Sequence, residues 1–185
     1  MKKITTIATI IFAFLMVPST SITAQEFSDL NKSPMDIASY PSSYKEANKQ
    51  MKIIYSRPQL KGRSLEKLAP NGKVWRTGAN EATELVLYTD YTLGGKPLKA
   101  GTYTMATIPG DKEWTIIINS DLNTWGSYYY KENKDVARIK VPVKMVGESL
   151  EAFSIALVDD GNKGVTMHLG WDKVRVAVPF VKANY

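Results

Sequence analysis

GTYTMATIPGDKEWTIIIN, residues 101–119, decides the fold. Residues 101–108 are rich in the β-branched and aromatic side chains that suit a pleated, half-buried surface. Pro109-Gly110-Asp111-Lys112 follows as a turn, with glycine and aspartate where sharp backbone angles are needed. Residues 113–119 then resume as a second strand, apolar enough around Trp114, Ile116, Ile117 and Ile118 to be buried on both faces. Two strands joined by so short a turn run antiparallel.

The same grammar extends outward from this pair. Residues 84–89 form a further apolar strand, and Gly94-Gly95 is a hairpin signal between Tyr91-Thr92-Leu93 and Lys96-Pro97-Leu98. Met51, Ile53 and Tyr55 alternate with Lys52, Ile54 and Ser56, a period of two that ends at Pro58. Toward the C-terminus, strands are expected over 135–146, 150–158, 165–170 and 173–181, with turns at Gly147 and across 159–164. Pro142, between Val141 and Val143, predicts an edge strand or a bulge. Short strands without a long amphipathic helix predict an all-β chain of about nine strands, an antiparallel β-sandwich or jelly-roll-like body. Residues 25–50 are weakly patterned. They predict an extended lead-in, lying across the domain or partly disordered, with a short helix over 43–49 capped by Ser42 or Ser43. The domain proper is expected over 51–185.

Residues 1–24 have the order of a secretory signal peptide: Lys2 and Lys3, an apolar run over 4–17, then small polar residues ending at Ala24. The run falls short of the roughly 18–20 residues that span a bilayer, so no transmembrane segment is expected after cleavage. Loss of the two lysines lowers the net charge of +6 by two. The chain has no cysteine, which excludes disulfide staples, thiolate chemistry and cysteine-bound zinc. A cysteine-free exported chain is expected to be periplasmic or secreted. Nucleic acid is not an expected partner, because no basic module is present.

The one irregular, cationic stretch is YSRPQLKGRSLEKLAPNGKVWRTGANEAT, residues 55–83. It gathers Arg57, Lys61, Arg63 and Arg76 around Trp75, with Asn80 and Glu81 following. Arginine suits an anion site because its planar fork meets carboxylate or phosphate with two parallel bonds. The same residues also read as loop braces held by internal pairing, for instance with Glu81, Glu84 or Asp135. Trp75 reads either as a core plug or as a stacking platform, and Asn80 as a turn-closing residue or a ligand contact. An anionic small molecule, a glycan or an envelope protein is the partner class this segment fits.

Several segments resemble a bacterial secreted family known as domain of unknown function 2911: Tyr55-Ser56-Arg57-Pro58, Lys61-Gly62-Arg63 and the run from Gly72 to Thr83 with its Trp-Arg-Thr-Gly-Ala-Asn-Glu core. Ala100-Gly101-Thr102-Tyr103, Ile108-Pro109-Gly110, residues 114–119 and Trp125-Gly126 resemble it as well. The resemblance covers about residues 51–180 and implies export and a β fold, with no established activity. Where the family commonly carries an aromatic-glycine pair, this chain has Leu65-Glu66-Lys67.

Catalytic chemistry has few carriers here. Glu81 is the candidate acid or base, but neighbouring arginines would keep it ionised. A hydrolase or lyase would need a matched aspartate, and Asp90, Asp111, Asp121 and Asp135 are all available. His168 is the single histidine and should point away from Met167. No metal or other cofactor is expected, and residues 159–164 read as a hairpin loop because they lack the calcium-loop pattern. The loop over 121–134, with Trp125, Tyr128, Tyr129 and Tyr130, is a second candidate surface. A structural envelope protein with no small-molecule site is the remaining alternative.

Overall fold

The computed structural model describes residues 26–161 and 164–183. The expected signal peptide therefore lies outside the described residues. Nine strands are present among them: β1 (Met35–Tyr40), β2 (Met51–Ser56), β3 (Thr83–Leu87), β4 (Tyr91–Leu93), β5 (Lys96–Leu98), β6 (Gly101–Ile108), β7 (Glu113–Asn119), β8 (Asp135–Asp159) and β9 (Gly164–Lys182). A single-turn helix, α1 (Leu65–Leu68), and a 3-10 turn (Glu132–Lys134) complete the elements. No described helix is long and apolar enough to cross a membrane.

The strands form one antiparallel sheet in the order β1-β2-β3-β6-β7-β8-β9-β4-β5, which does not close into a barrel. β8 gives this sheet two layers. Its first part pairs with β7, from Asp135 to Pro142, and its remainder pairs with β9, from Val143 to Asp159. Pro142 thus sits where β8 changes partner. It cannot donate to a ladder, and at this junction the missing donor is tolerated. The expectation of an edge strand is corrected: β8 is central, and it bulges beyond Pro142.

Alternation places the core. Met51, Ile53 and Tyr55 of β2, Leu85 and Leu87 of β3, and Trp114, Ile116 and Ile118 of β7 face inward from one layer. Phe153, Ile155, Leu157, Met167, Leu169, Trp171, Val178 and Phe180 meet them from the other. Ile117 is fully buried but outside this cluster, so β7 is covered on both faces as its sequence predicts. Exposed His168 and buried Met167 occupy opposite faces of β9.

The lead-in contributes more than expected. Met35–Tyr40 pairs along its length with β2, because Ala38 and Tyr40 pack on the core while Met35 and Ile37 stay exposed. The helix expected over 43–49 is absent. Glu46 N donates to Ser43 O at 3.1 Å and Lys45 N to Ser43 Oγ at 3.3 Å, forming a turn instead. Lys49 Nζ then ties Pro41 O and Ser43 O at 2.6 and 2.7 Å, and so short a segment cannot offset helix nucleation. The strands expected over 135–146 and 150–158 are one continuous strand, as are those over 165–170 and 173–181.

Candidate functional site

The Trp75–Glu81 run is a strand fragment followed by a compact turn. Trp75 and Thr107 exchange both backbone bonds, Trp75 N to Thr107 O at 2.7 Å and Thr107 N to Trp75 O at 2.8 Å. A residue in strand geometry sends its neighbour to the opposite face. Trp75 therefore enters the core, stacked on Trp171 with centroids 5.5 Å apart, and Arg76 faces the other way. The turn is pinned from inside: Trp75 Nε1 donates to Gly78 O at 3.1 Å, and Thr83 Oγ1 to Thr77 O at 2.8 Å. A Cβ on Gly78 would stand 2.9 Å from Ser56 O, so the chain approaches β2 too closely for any side chain there.

The aromatic loop closes over Arg76. Ala82 N donates to Thr124 O at 2.9 Å and Gly126 N to Asn80 O at 3.1 Å, clipping the two segments together. Gly126 has φ +67°, and a Cβ there would lie 2.7 Å from Arg76 Nη1. The positive φ favours glycine there, and any side chain would push the guanidinium or the Tyr128 ring aside. The result is a small cavity of about 20 Å³ lined by Arg76, Thr104, Asn119, Asp121, Ser127 and Tyr129, among others. That volume admits roughly one water-sized group. Among the described residues, Arg76 Nε is a buried side-chain polar atom without a hydrogen-bond partner. In the same loop, Trp125, Tyr128 and Tyr129 are exposed by 54%, 76% and 70%, and Tyr129 also lines the cavity.

Asn119 and Tyr130, which line the cavity, belong to a polar network. Asn119 Nδ2 donates to Asp135 Oδ1 at 2.8 Å and to Lys131 O at 2.9 Å. Tyr130 Oη donates to Asp135 Oδ2 at 2.7 Å, and Arg138 Nη2 donates to Tyr130 Oη at 2.6 Å. Burial, reinforced by the bond to Asp135, pushes the Tyr130 hydroxyl up to about 12. Because the folded value exceeds the ordinary 10, folding favours the neutral phenol. The stabilisation is whole below pH 10 and is lost as pH rises through 12. In a spectrophotometric titration of the tyrosines, Tyr130→Phe should remove one late-ionising group. Loss of an early-ionising group instead would contradict the network.

The structure divides the residues that the sequence grouped. Arg57 braces: Nε donates to Phe153 O at 3.0 Å, Nη2 to Ser154 Oγ at 2.6 Å, and Nη1 meets Asp36 Oδ2 at 3.0 Å. Arg63 closes its own turn through Leu60 O and Gln59 O, at 2.9 and 2.7 Å. Lys61 is exposed with φ +47°, its backbone N bonded to Glu151 Oε1 at 2.7 Å. Trp75 belongs to the core. Asn80 (φ +60°) and Glu81 follow Arg76 on the same turn, but of the three Arg76 alone lines the cavity; Glu81 bridges to Trp125 along the backbone and its side chain is exposed. The two stretches that looked separate in sequence thus lie side by side, joined by backbone bonds. Asn119, Thr104 and the Tyr130–Asp135–Arg138 network are additions. The signal that could have found Asn119 is a lone amide ending an isoleucine run. Among the described residues, no group of three or more histidines, aspartates or glutamates is placed to hold a metal ion.

Ser64 caps α1 by accepting from Lys67 N, so the Leu65-Glu66-Lys67 departure is a helical turn. The family model described as "Protein of unknown function (DUF2911)" matches residues 33–180. No curated protein matches the chain, and no solved structure does.

Proposed function

The chain belongs to the family of proteins of unknown function DUF2911, and from that premise we propose that it is an exported, periplasmic or secreted binding module for carboxylate-bearing saccharides. The observation that carries this reading is Arg76: a guanidinium whose Nε is buried without a partner, beneath a loop that carries exposed aromatics. A buried donor left unpaired costs about 1–3 kcal/mol, and a ligand oxygen entering the cavity would remove that cost. The cavity has room for one such oxygen, so the rest of the ligand would lie outside it. Trp125, Tyr128 and Tyr129 offer flat faces on which a sugar ring can stack. Export rests on the signal-like order of residues 1–24.

The alternative use of Glu81 as a hydrolase or lyase group is less supported. Its side chain is exposed and is not part of the cavity lining, while Asp121, which is, meets Lys131 Nζ at 3.5 Å.

An array of neutral and uronic-acid oligosaccharides tests the proposal. The wild-type chain should bind uronate-containing members selectively. Trp125→Ala should weaken binding by about tenfold, the size of one lost aromatic contact, and neither the wild-type chain nor Glu81→Gln should cleave the bound sugars. Absence of any selective binding to acidic members, or full binding by Trp125→Ala, would rule the reading out.

A further inference from the structure

β8 and β9 form a bent hairpin whose ladder is interrupted between Met145 and Leu150, and again between Leu150 and Ser154. Over this region lies a trough of about 520 Å³, within the range of small-molecule sites. Its floor residues are too small to fill it. These are Ser154, Ala156, Gly170 and Ala177; Ser154 stands opposite Gly170, and Ala156 opposite the bulkier His168, which also lines the trough. Val146, Leu150 and Pro142 supply apolar walls.

The charge beside this trough is uncompensated. Lys144 and Arg175 lie directly opposite one another in the ladder, and both line the trough. Like charges so placed destabilise a sheet. Arg175 Nη1 donates to Asp172 O and Val174 O, each at 2.8 Å, and Nη2 to Glu148 O at 3.3 Å. These acceptors are neutral carbonyls. The Asp172 carboxylate accepts from Ser149 Oγ at 2.7 Å, and neither cation takes part in an ion pair among the described residues.

We propose that this trough binds an amphiphile with one alkyl chain and an anionic head. The head sits at Lys144 and Arg175, and the chain lies over Gly170 and Ala156 against Leu150. The apolar trough accounts for the chain and the paired cations account for the charge. The site is separate from the Arg76 cavity and shares no lining residue with it.

The full chain is titrated with laurate, with lauroyl lysophosphatidylglycerol and with uncharged dodecanol, each by displacement of a fluorescent alkyl probe. Laurate or the lysolipid should bind saturably below its micelle threshold, and the tighter of the two identifies the head. Affinity should fall roughly two- to fourfold for each methylene removed. Lys144→Glu, at an exposed position, should weaken the anionic ligands at least tenfold and leave dodecanol within twofold. Ala156→Trp, also exposed, should block all three, and Arg76→Met should change none. Non-saturable binding overturns the proposal, as does unaltered laurate affinity in Lys144→Glu. Sedimentation showing that Ala156→Trp breaks a dimer would also overturn it, by assigning the face to a second copy.

Discussion

Trp75→Ala is expected to lower the stability of the protein by about 3–5 kcal/mol, the usual range for truncating a buried tryptophan. Trp75 is only 7% exposed and contacts three other rings. It stacks on Trp171 and meets Phe153 and Trp114 edge-on, with centroids at 5.0 and 6.0 Å. These rings come from both layers of the bent sheet, so removing the central one leaves a cavity where the layers join. Truncation also strands the Gly78 carbonyl that its indole N–H satisfies. Domains of this kind are stable by about 5–15 kcal/mol, so the loss should be plain in a urea denaturation midpoint. Trp75→Phe should recover part of it. Wild-type stability in Trp75→Ala, with sugar binding abolished, would instead make Trp75 a ligand platform.

Arg57→Ala is expected to cost about 1–3 kcal/mol, as loss of charge-assisted hydrogen bonds does. Arg57 extends from the end of β2 and fastens β1, through Asp36, to the Phe153–Ser154 segment of β8. The lower half of that range is favoured, because its side chain is 34% exposed and that of Asp36 is 42% exposed, so solvent screens the ion pair. Arg57→Lys should recover little, since a lysine cannot divide its donors among three fixed acceptors. Urea denaturation measures the change, and saccharide binding should persist in the folded variant. Unchanged stability would contradict the bracing role.

These two residues mark how far the sequence could be read. The hairpin over 101–119 was legible because its turn and its strands are local signals. β1 was not, because it packs only Ala38 and Tyr40 on the core and leaves its larger aliphatic residues, Met35 and Ile37, exposed, unlike an ordinary amphipathic strand. Gly147 read as a turn, and the structure uses that region as a bulge within β8; glycine permits either, and only pairing with β9 decides between them. Asp172, with φ +47°, likewise bends β9 without ending it.

The candidate site was legible in part for a similar reason. Arg57, Arg63 and Arg76 are alike as residue types, and their roles are set by what lies across space from each. Alternation beside a core tryptophan could place Arg76 on the outer face. Its burial there depends on the 121–130 loop, more than forty positions along the chain, which no local pattern connects to it.

Thermal unfolding of Arg76→Met, with and without an oligogalacturonate, tests the central claim most directly. Methionine is apolar and of similar reach, so it should relieve the unpaired buried donor, and the variant should melt at or above the wild-type temperature without ligand. Saturating oligogalacturonate should raise the wild-type melting temperature through preferential binding to the folded state, and should leave Arg76→Met unmoved. A variant that melts well below wild type, yet gains as much from the ligand, would show that Arg76 holds the loop and that the saccharide binds elsewhere.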